Sequence, residues 1–491
     1  MKTLTQYLHE IDYTLLQGTL EKKVSDIVIS SKKATQNTIF ICLKGANFDA
    51  HNFIADALSQ GCQILIIQED IDLSKISTTI TVIKVACTRV ALAKLAAFHF
   101  DFPAHKLTCI AVTGTKGKSS TAWMIKQLLE ANHQPTGLIG TDGIFYHDLK
   151  FPTQNTTPES YDLQKYLAQM VQAKLKFVVI EISSQAQKLA RTAGIVFDYA
   201  IFTNISPDHI GPHEHHDFNE YLQCKLSLFA QSKVGIINID DSHAQAFMTK
   251  APQTFTYGFS PAADLNAQHL KLVHHQKMSG SCFDLYDQSQ LLAAKVETTL
   301  LGAYNISNIL AALSVLKCLK MPLSLDQLKT LKINGRLELV LKNANQTVFV
   351  DYAHNEASLE NVLITLRQLE PTRLIVVFGC GGNRSKQRRY GMGKAAGKYT
   401  DLTILTEDNS RFEDLTTILN DIKTTLVPLT DNYLEILNRS QAIKAALLIA
   451  RPHDIILVAG KGDEDYNDCQ GKKTYFKDRD EILKIAAKLN D

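Results

Sequence analysis

Ten short apolar runs rich in β-formers recur along the chain: TIFICL, QILIIQ, LTCIAV, FVVIEI, YAIFTN, VGIINI, TVFVDY, LIVVFG, LTILTE and DIILVAG. Stretches of helical periodicity fill the intervals. A strand that is apolar at nearly every position has to be covered on both faces, and a helix in each crossover supplies the cover. The pattern therefore predicts an α/β chain built on largely parallel sheets. The runs form three groups, with quieter stretches near 100–106 and 331–338 between them, which places domains at 1–105, 106–335 and 336–491. A length of 491 residues points to roughly the same number of domains.

Charge excludes several classes of partner. With 52 Lys+Arg against 50 Asp+Glu the net charge is only +2, so no bulk field attracts nucleic acid or an anionic membrane, and any polyanion must be bound locally. No stretch approaches the roughly 20 apolar residues of a membrane helix. The start, MKTLTQYLHEIDYTLLQG, carries an acidic residue within its first ten positions and lacks the apolar core of a secretory signal. The nine cysteines are never spaced C-x-x-C and lie mostly in apolar runs, as expected of reduced core thiols in cytoplasm.

The sharpest local signal is CIAVTGTKGKSSTAWMIKQLL, a buried-type strand, a glycine-containing turn and an amphipathic helix. Gly114 and Gly117 allow backbone N–H groups to crowd around phosphate oxygens, Lys118 supplies a point charge, and Ser119 offers a hydroxyl to Mg²⁺ at the helix N-terminus. The turn is a shortened phosphate loop, since Val112 stands where the usual spacing puts glycine; the plain alternative is a strand-to-helix turn. Downstream, FVVIEISSQ ends a strand in Glu181, either a helix cap or, with that loop nearby, a Mg²⁺ ligand beside Ser119. FTNISPDHIGPHEHHDFNEYLQCKLSLF gathers Asp208, His209, His213, His215 and His216, which reads as a zinc site or, with adjacent histidines and no cysteine set, as a solvated loop. Lys225 follows on an amphipathic helix, where a lysine ordinarily faces solvent.

GTKGKSS, NTTPES, EISSQ, TNISPDHI with YLQCKLSLF, GAYNISNILAAL, NGRLELV, VDYAHN and GCGGNRSKQRR occur in the order found in Mur ligases. On these residues the chain resembles that family over nearly its whole length, and within it the members that add a diamino acid to UDP-N-acetylmuramoyl-L-alanyl-D-glutamate. The resemblance implies a UDP-binding first domain, a phosphate-loop central ATPase domain and a Rossmann-like C-terminal domain that brings the amino acid. It implies ATP and Mg²⁺ as cofactors. Gly114, Thr115, Lys116, Gly117, Lys118, Ser119 and Ser120 would hold the phosphates. Ser119, Glu181, His209 and Lys225 would hold metal, with Lys225 carbamoylated and Lys118, His209 and Lys225 serving catalysis. Asn305, Asn308, Arg336, Asp351 and His354 match further nucleotide positions, although both asparagines could be helix caps.

For the UDP acceptor, Asn155, Thr156, Thr157, Ser183 and Arg191 fall on family positions, Arg191 as the partner of a carboxylate. Ser31, Lys32 and His51 fall in the uridine stretch. There Lys32 replaces the usual arginine and loses its bidentate fork, and these three could instead be structural. Amino-acid choice is expected from Arg384, Asp408, Asn409, Ser410, Arg411, Gly460 and Glu464, with Asp463 and Asp465 as alternative acidic partners. Asp408–Arg411 resembles the D-N-P-R of diaminopimelate-adding members, but Ser410 lacks the fixed φ of proline. The TNISPDHIGP and GTKGK segments look like lysine-adding relatives. The expectation is therefore L-lysine, with meso-diaminopimelate as the alternative. A folylpolyglutamate synthase-like ligase and a nucleotide-dependent switch ATPase are the rival activities. A cytoplasmic monomer is expected, with neither nucleic acid nor membrane as partner.

Overall fold

The computed structural model describes residues 1–45, 48–208, 210–211, 214–275, 278–343 and 346–490. All ten apolar runs are strands, and they sit in three sheets. The chain divides into two compact units, Met1–Gln268 with Tyr286–Leu292 and Ser307–Ser324, and His269–Leu285 with Ala293–Ile306 and Leu325–Asp491.

Besides the two-stranded pair of Lys2–Thr3 with Lys23–Val24, the first unit holds two large sheets. The smaller runs in the order Tyr13–Gln17, Thr81–Val85, Ile64–Ile67, Thr38–Ile41, Asp26–Val28; only Tyr13–Gln17, at an edge, is antiparallel. Ile64 to Ile67 are all fully buried because alternate side chains enter different cores, Ile64 and Ile66 one, Leu65 and Ile67 the other. Helix Thr88–His99 covers the first of these faces. Tyr161 ties this domain to the next by donating to Asp26 Oδ1 at 2.6 Å.

The larger sheet centres on Thr108–Thr113, with Phe177–Glu181 and Phe197–Phe202 parallel on either side. Glu181 pairs with Val112 and Phe202 with Thr113. That register brings three C-terminal strand ends to one edge, where open α/β sheets bind ligands. The hairpin Gly143–Tyr146 and Leu149–Phe151 extends one side antiparallel. On the other side Ser232–Asn238, Thr254–Gly258 and the start of Leu265–His275 follow in parallel.

In the second unit a sheet runs in the order Glu338–Lys342, Gln346–Asp351, Asp454–Ala459, Leu374–Phe378, Leu402–Leu405, Tyr433–Glu435, parallel except for its first strand. Helices Glu356–Arg367, Lys386–Tyr399 and Leu415–Leu426 bury one face and Arg439–Ile449 with Asp478–Asn490 the other, the Rossmann-like arrangement expected. The strands that the sequence reading missed, such as Tyr13–Gln17 and Leu149–Phe151, carry exposed residues and lack an all-apolar run.

All nine cysteines are free; four are buried, but Cys469 is exposed, contrary to the expectation of core thiols. Among the described residues no helix is long and apolar enough to cross a membrane.

Arg439, 1% exposed, donates through Nε and one terminal nitrogen to the two oxygens of Asp478, both at 2.7 Å, and also to Ala459 O at 2.9 Å. Removing one partner of such a pair strands a buried charge. Arg439→Ala is expected to lower stability by about 3–5 kcal/mol in urea unfolding. Lys423→Ala, which breaks a less buried pair with Glu435, should cost about 1 kcal/mol or less.

Candidate active site

The turn after Thr108–Thr113 is held from three directions. Thr115 N donates to Asn204 O at 2.8 Å and Lys116 N to Asn204 Oδ1 at 3.0 Å, while Thr203 Oγ1 donates to Lys116 O at 2.7 Å. Thr115 Oγ1 also lies 2.9 Å from Tyr221 Oη. Gly117 has φ +85°, and a Cβ there would stand 2.6 Å from Asn308 Oδ1. It precedes helix Lys118–Ala131 and has no side chain with which to cap it, so the first N–H groups and the helix dipole are offered to an anion.

Ser119 Oγ donates to Glu181 Oε2 at 2.9 Å. Glu181 is fully buried, and burial is the main cause of its raised pKa. Thr141 donates to the same carboxylate through its backbone N–H at 3.1 Å and its hydroxyl at 3.2 Å. A hydroxyl and a carboxylate so close together are hard oxygen donors of the kind Mg²⁺ takes. Lys118 Nζ donates to Gly114 O at 2.9 Å and Thr115 O at 3.2 Å. Lys116 pairs with Asp208 at 3.4 Å, and Ser120 is buried in the first turn of the helix.

Lys225 is not a surface lysine. It is 2% exposed, donates to Gly114 O at 2.8 Å and lies 4.7 Å from the Tyr221 ring centroid. Burial first, then the Lys118 charge, hold its pKa well below that of an ordinary lysine. His209 and His213 lie outside the described residues. Of the remaining histidines in that segment, His216 is exposed, whereas His215 is 1% exposed and 2.9 Å from Ser184 Oγ, so it is core and not solvated loop. Among the described residues no group of three His, Cys, Asp or Glu could hold a metal, and no zinc site is assembled.

Of the acceptor residues, Thr157 is fully buried, donating to Glu181 O at 2.8 Å and accepting from Ser183 N at 3.1 Å; Ser183 in turn caps Ser184–Lys188. Thr156 Oγ1 is 3.0 Å from Thr141 Oγ1, and Asn155 is exposed. Arg191 already has its carboxylate: Nε donates to Glu159 at 3.1 Å and a terminal nitrogen to Thr157 O at 3.0 Å. His51 is likewise engaged, with Nδ1 2.6 Å from Asp49 and Nε2 accepting from Gln68 N at 3.3 Å. Both side chains are thus oriented by neighbours within the protein. Ser31 is buried at the start of a short 3₁₀ turn, and Lys32 is exposed beside it.

Asn308 accepts from Thr121 Oγ1 at 3.1 Å, and Asn305 donates to Leu301 O at 2.9 Å, so neither caps the helix that carries it. Asp351 accepts from Leu337 N at 2.6 Å and Ala353 N at 2.7 Å, and burial pushes its pKa up to about 6 despite Arg336. The Arg336 guanidinium lies 4.3 Å from the centroid of the Tyr352 ring, and His354 Nδ1 lies 2.9 Å from Tyr352 O.

The amino-acid turns converge at the edge of the second unit's sheet. Asn409 Nδ2 donates to Glu464 Oε2 at 2.8 Å, and a Cβ on Gly460, whose φ is +113°, would meet Asp408 Oδ2 at 2.7 Å. Glu464 is raised in pKa by burial and then by Asp408. Asp463 is paired with Lys477 at 2.7 Å and Asp465 is exposed, whereas Asp408 is buried and Glu464 accepts from Asn409. Arg411, at φ +52°, is pinned by Arg411 N to Asp468 O at 2.9 Å and Gln470 N to Arg411 O at 2.7 Å, and its guanidinium donates to Gly382 O at 2.8 Å. Ser410 is buried, and Arg384 is exposed; with Arg411 it flanks Gly381. The sequence reading missed Thr141, Asn204, Tyr221 and Lys461. Of these only Tyr221 had a positional signal, four residues before Lys225 on one helix face.

Residues 112–316 match the Mur ligase middle domain and residues 335–462 the Mur ligase, glutamate ligase domain. The chain is 36% identical to UDP-N-acetylmuramoyl-L-alanyl-D-glutamate–2,6-diaminopimelate ligase 1 of Clostridium acetobutylicum, covering 99% of both. It is 35% identical to the 2,6-diaminopimelate ligase of Geobacillus kaustophilus, covering 98% of both. A solved structure of such a ligase superposes with TM-score 0.71 at 27% identity over 100% of both chains. A folylpolyglutamate synthase of Mycobacterium tuberculosis shares the fold, at TM-score 0.58 and 16% identity over 76% of this chain and 92% of its own.

A Cβ on Gly140 would lie 2.1 Å from Glu181 Oε1. Gly140→Ala is therefore expected to displace the carboxylate and raise the Mg²⁺ concentration needed for half-maximal ADP release by about tenfold or more. A metal titration checks this.

Proposed function

As the chain belongs to the Mur ligase family of ATP- and Mg²⁺-dependent ligases, we propose that it joins meso-2,6-diaminopimelate to UDP-N-acetylmuramoyl-L-alanyl-D-glutamate in cytoplasmic peptidoglycan precursor synthesis. The observation that carries the ligase chemistry is the convergence of Lys118 and Lys225 on one carbonyl, that of Gly114, beside the Ser119–Glu181 pair. In the proposed division of labour, residues 1–105 bind UDP, 106–335 bind ATP and 336–491 bring the amino acid.

A carboxylate is a poor acyl donor because it would have to expel oxide. Transfer of the γ-phosphoryl of ATP to the D-glutamate carboxylate breaks the bond to ADP and forms an acyl phosphate. The diamino acid's neutral amine then attacks the acyl carbon, phosphate departs, and the nitrogen sheds its proton as the amide forms. No side-chain nucleophile is needed, so the protein contributes positioning and charge. Lys118 would turn from the loop carbonyls to the phosphates, and Ser119, Glu181, His209 and Lys225 would hold Mg²⁺. Bound Mg²⁺ supplies positive charge against the phosphate oxygens. Lys225, buried and with its pKa pulled well below that of an ordinary lysine, suits reaction of its neutral amine with CO₂ to an anionic carbamate, with loss of a proton. Asn305, Asn308, Arg336, Asp351 and His354 are assigned to the nucleotide, the last four through the groups that orient them. Ser31, Lys32, His51, Asn155, Thr156, Thr157, Ser183 and Arg191 are assigned to the acceptor, with Glu159 orienting Arg191 and Asp49 orienting His51.

The choice of diaminopimelate reverses the expectation of L-lysine. The relatives named above carry diaminopimelate in their names, and Arg411 supports it. Without proline at position 410, the backbone bridge to Cys469 takes over the task of fixing Arg411. A guanidinium held in that way can pair with the distal carboxylate that lysine lacks. Glu464 and Asp408 take the distal ammonium, and Arg384 takes the α-carboxylate.

Ligation assays with ATP, the UDP acceptor and either diamino acid should give a kcat/KM preference for diaminopimelate of about tenfold or more, on the order of 1.4 kcal/mol. A preference for lysine would overturn the choice of amino acid and leave the ligation standing. Arg411→Ala should remove most of that preference by weakening diaminopimelate alone. Lys225→Ala should be inactive and regain partial activity with a short added carboxylate; full activity without it would remove Lys225 from the metal site.

A further inference from the structure

Lys461 has no role in the ligation as derived so far. It is 0% exposed, yet its ammonium lies 3.2 Å from Asn409 Oδ1, 3.7 Å from Asp408 Oδ1 and 3.6 Å from Glu464 Oε2. Asp408 and Glu464 are the residues assigned above to the amino acid's distal ammonium, and Asn409 is the neighbour that donates to Glu464. A fully buried lysine is tolerated only when its charge is matched, and here it is over-matched, one cation against two carboxylates.

Two consequences follow from the geometry. Asn409 Oδ1 accepts from Lys461 and from Asp468 N at 2.9 Å, so its amide cannot flip, and Nδ2 must donate to Glu464. This holds the Glu464 carboxylate in one orientation. Lys461 also lies 3.7 Å from one carboxylate and 3.6 Å from the other, and so offsets part of the repulsion between Asp408 and Glu464.

We propose that Lys461 is a positioning residue that locks the Asn409 amide and offsets one of the two carboxylate charges of the distal-amine pocket. The proposal rests on the reading that Asp408, Asn409 and Glu464 receive the amino acid. Without Lys461 the two carboxylates face each other uncompensated. They then have to take up a proton or spread apart, and either change costs binding of the incoming amine.

The test uses the full-length enzyme and steady-state ligation. Lys461→Met should raise KM for the diamino acid by about tenfold or more, with a smaller fall in kcat and with KM for ATP moving less than about threefold. Restoring the charge by adding Asp408→Asn to Lys461→Met should lower the amino-acid KM again, which a residue needed only for packing would not do. Lys461→Gln, which can still donate to Asn409 but lacks the charge, should fall between wild type and Lys461→Met, and serves if Lys461→Met does not fold. Glu464→Gln separates the two layers. If it leaves the amino-acid KM unchanged, the assignment of the pocket fails. If it raises that KM while neither Lys461 variant does, or if the double variant is no better than Lys461→Met, the role of Lys461 is overturned.

Discussion

The carbonyl oxygen of Gly114 accepts hydrogen bonds from two lysines, one from the helix that begins at Lys118 and one from the helix Phe218–Ala230. Two ammonium groups cannot share one carbonyl in a buried place at low cost, and Lys225, deeply buried, is the one driven toward the neutral form. The arrangement requires that the loop carbonyl be fixed, which the clamp from Thr203, Asn204 and Tyr221 achieves. It also requires that the strand feeding the loop end level with its neighbours, which the registers Glu181–Val112 and Phe202–Thr113 ensure. A sheet in another register would separate Glu181 from Ser119.

The second unit applies the same device at its own sheet edge. Asp408 and Gly460 follow parallel strands, and Arg439 ties the two turns by donating to Glu407 O at 3.2 Å and Ala459 O at 2.9 Å. The sequence shows no conspicuous motif at Arg439 or Lys461, yet these buried cations hold the carbonyls and carboxylates of the turns at Glu407–Asn409 and Ala459–Glu464. One end of each sheet carries the chemistry while the apolar strands behind it carry the stability.

Much of this was legible because the all-apolar strands announce themselves and because, even in its shortened spacing, the loop sets two glycines, Lys118 and Ser119 between a buried strand and a helix. Ser119 beside Glu181 came from pairing two motifs that are ambiguous separately. What was not legible were partners chosen by tertiary packing. Arg191 in the sequence is a cation in want of a carboxylate, and only the fold reveals that Glu159 fills that role. His51 is spent on Asp49 two residues away and on the backbone of Gln68. The expectation of lysine rested on the missing proline at 410 together with the TNISPDHIGP and GTKGK segments; the bridge from Arg411 to the hairpin at Cys469 spans 58 positions and has no sequence signal.

The central claim is that this edge transfers phosphate to the acceptor's carboxylate before the amine arrives. Acceptor labelled with ¹⁸O in the D-glutamate carboxylate, turned over with ATP and diamino acid, tests it directly. One labelled oxygen should leave in the inorganic phosphate, detected by mass spectrometry, since the oxygen that bridges carbon and phosphorus departs with phosphorus. Unlabelled phosphate, or label appearing in AMP, would contradict the acyl phosphate and with it the task assigned to Lys118, Ser119 and Glu181.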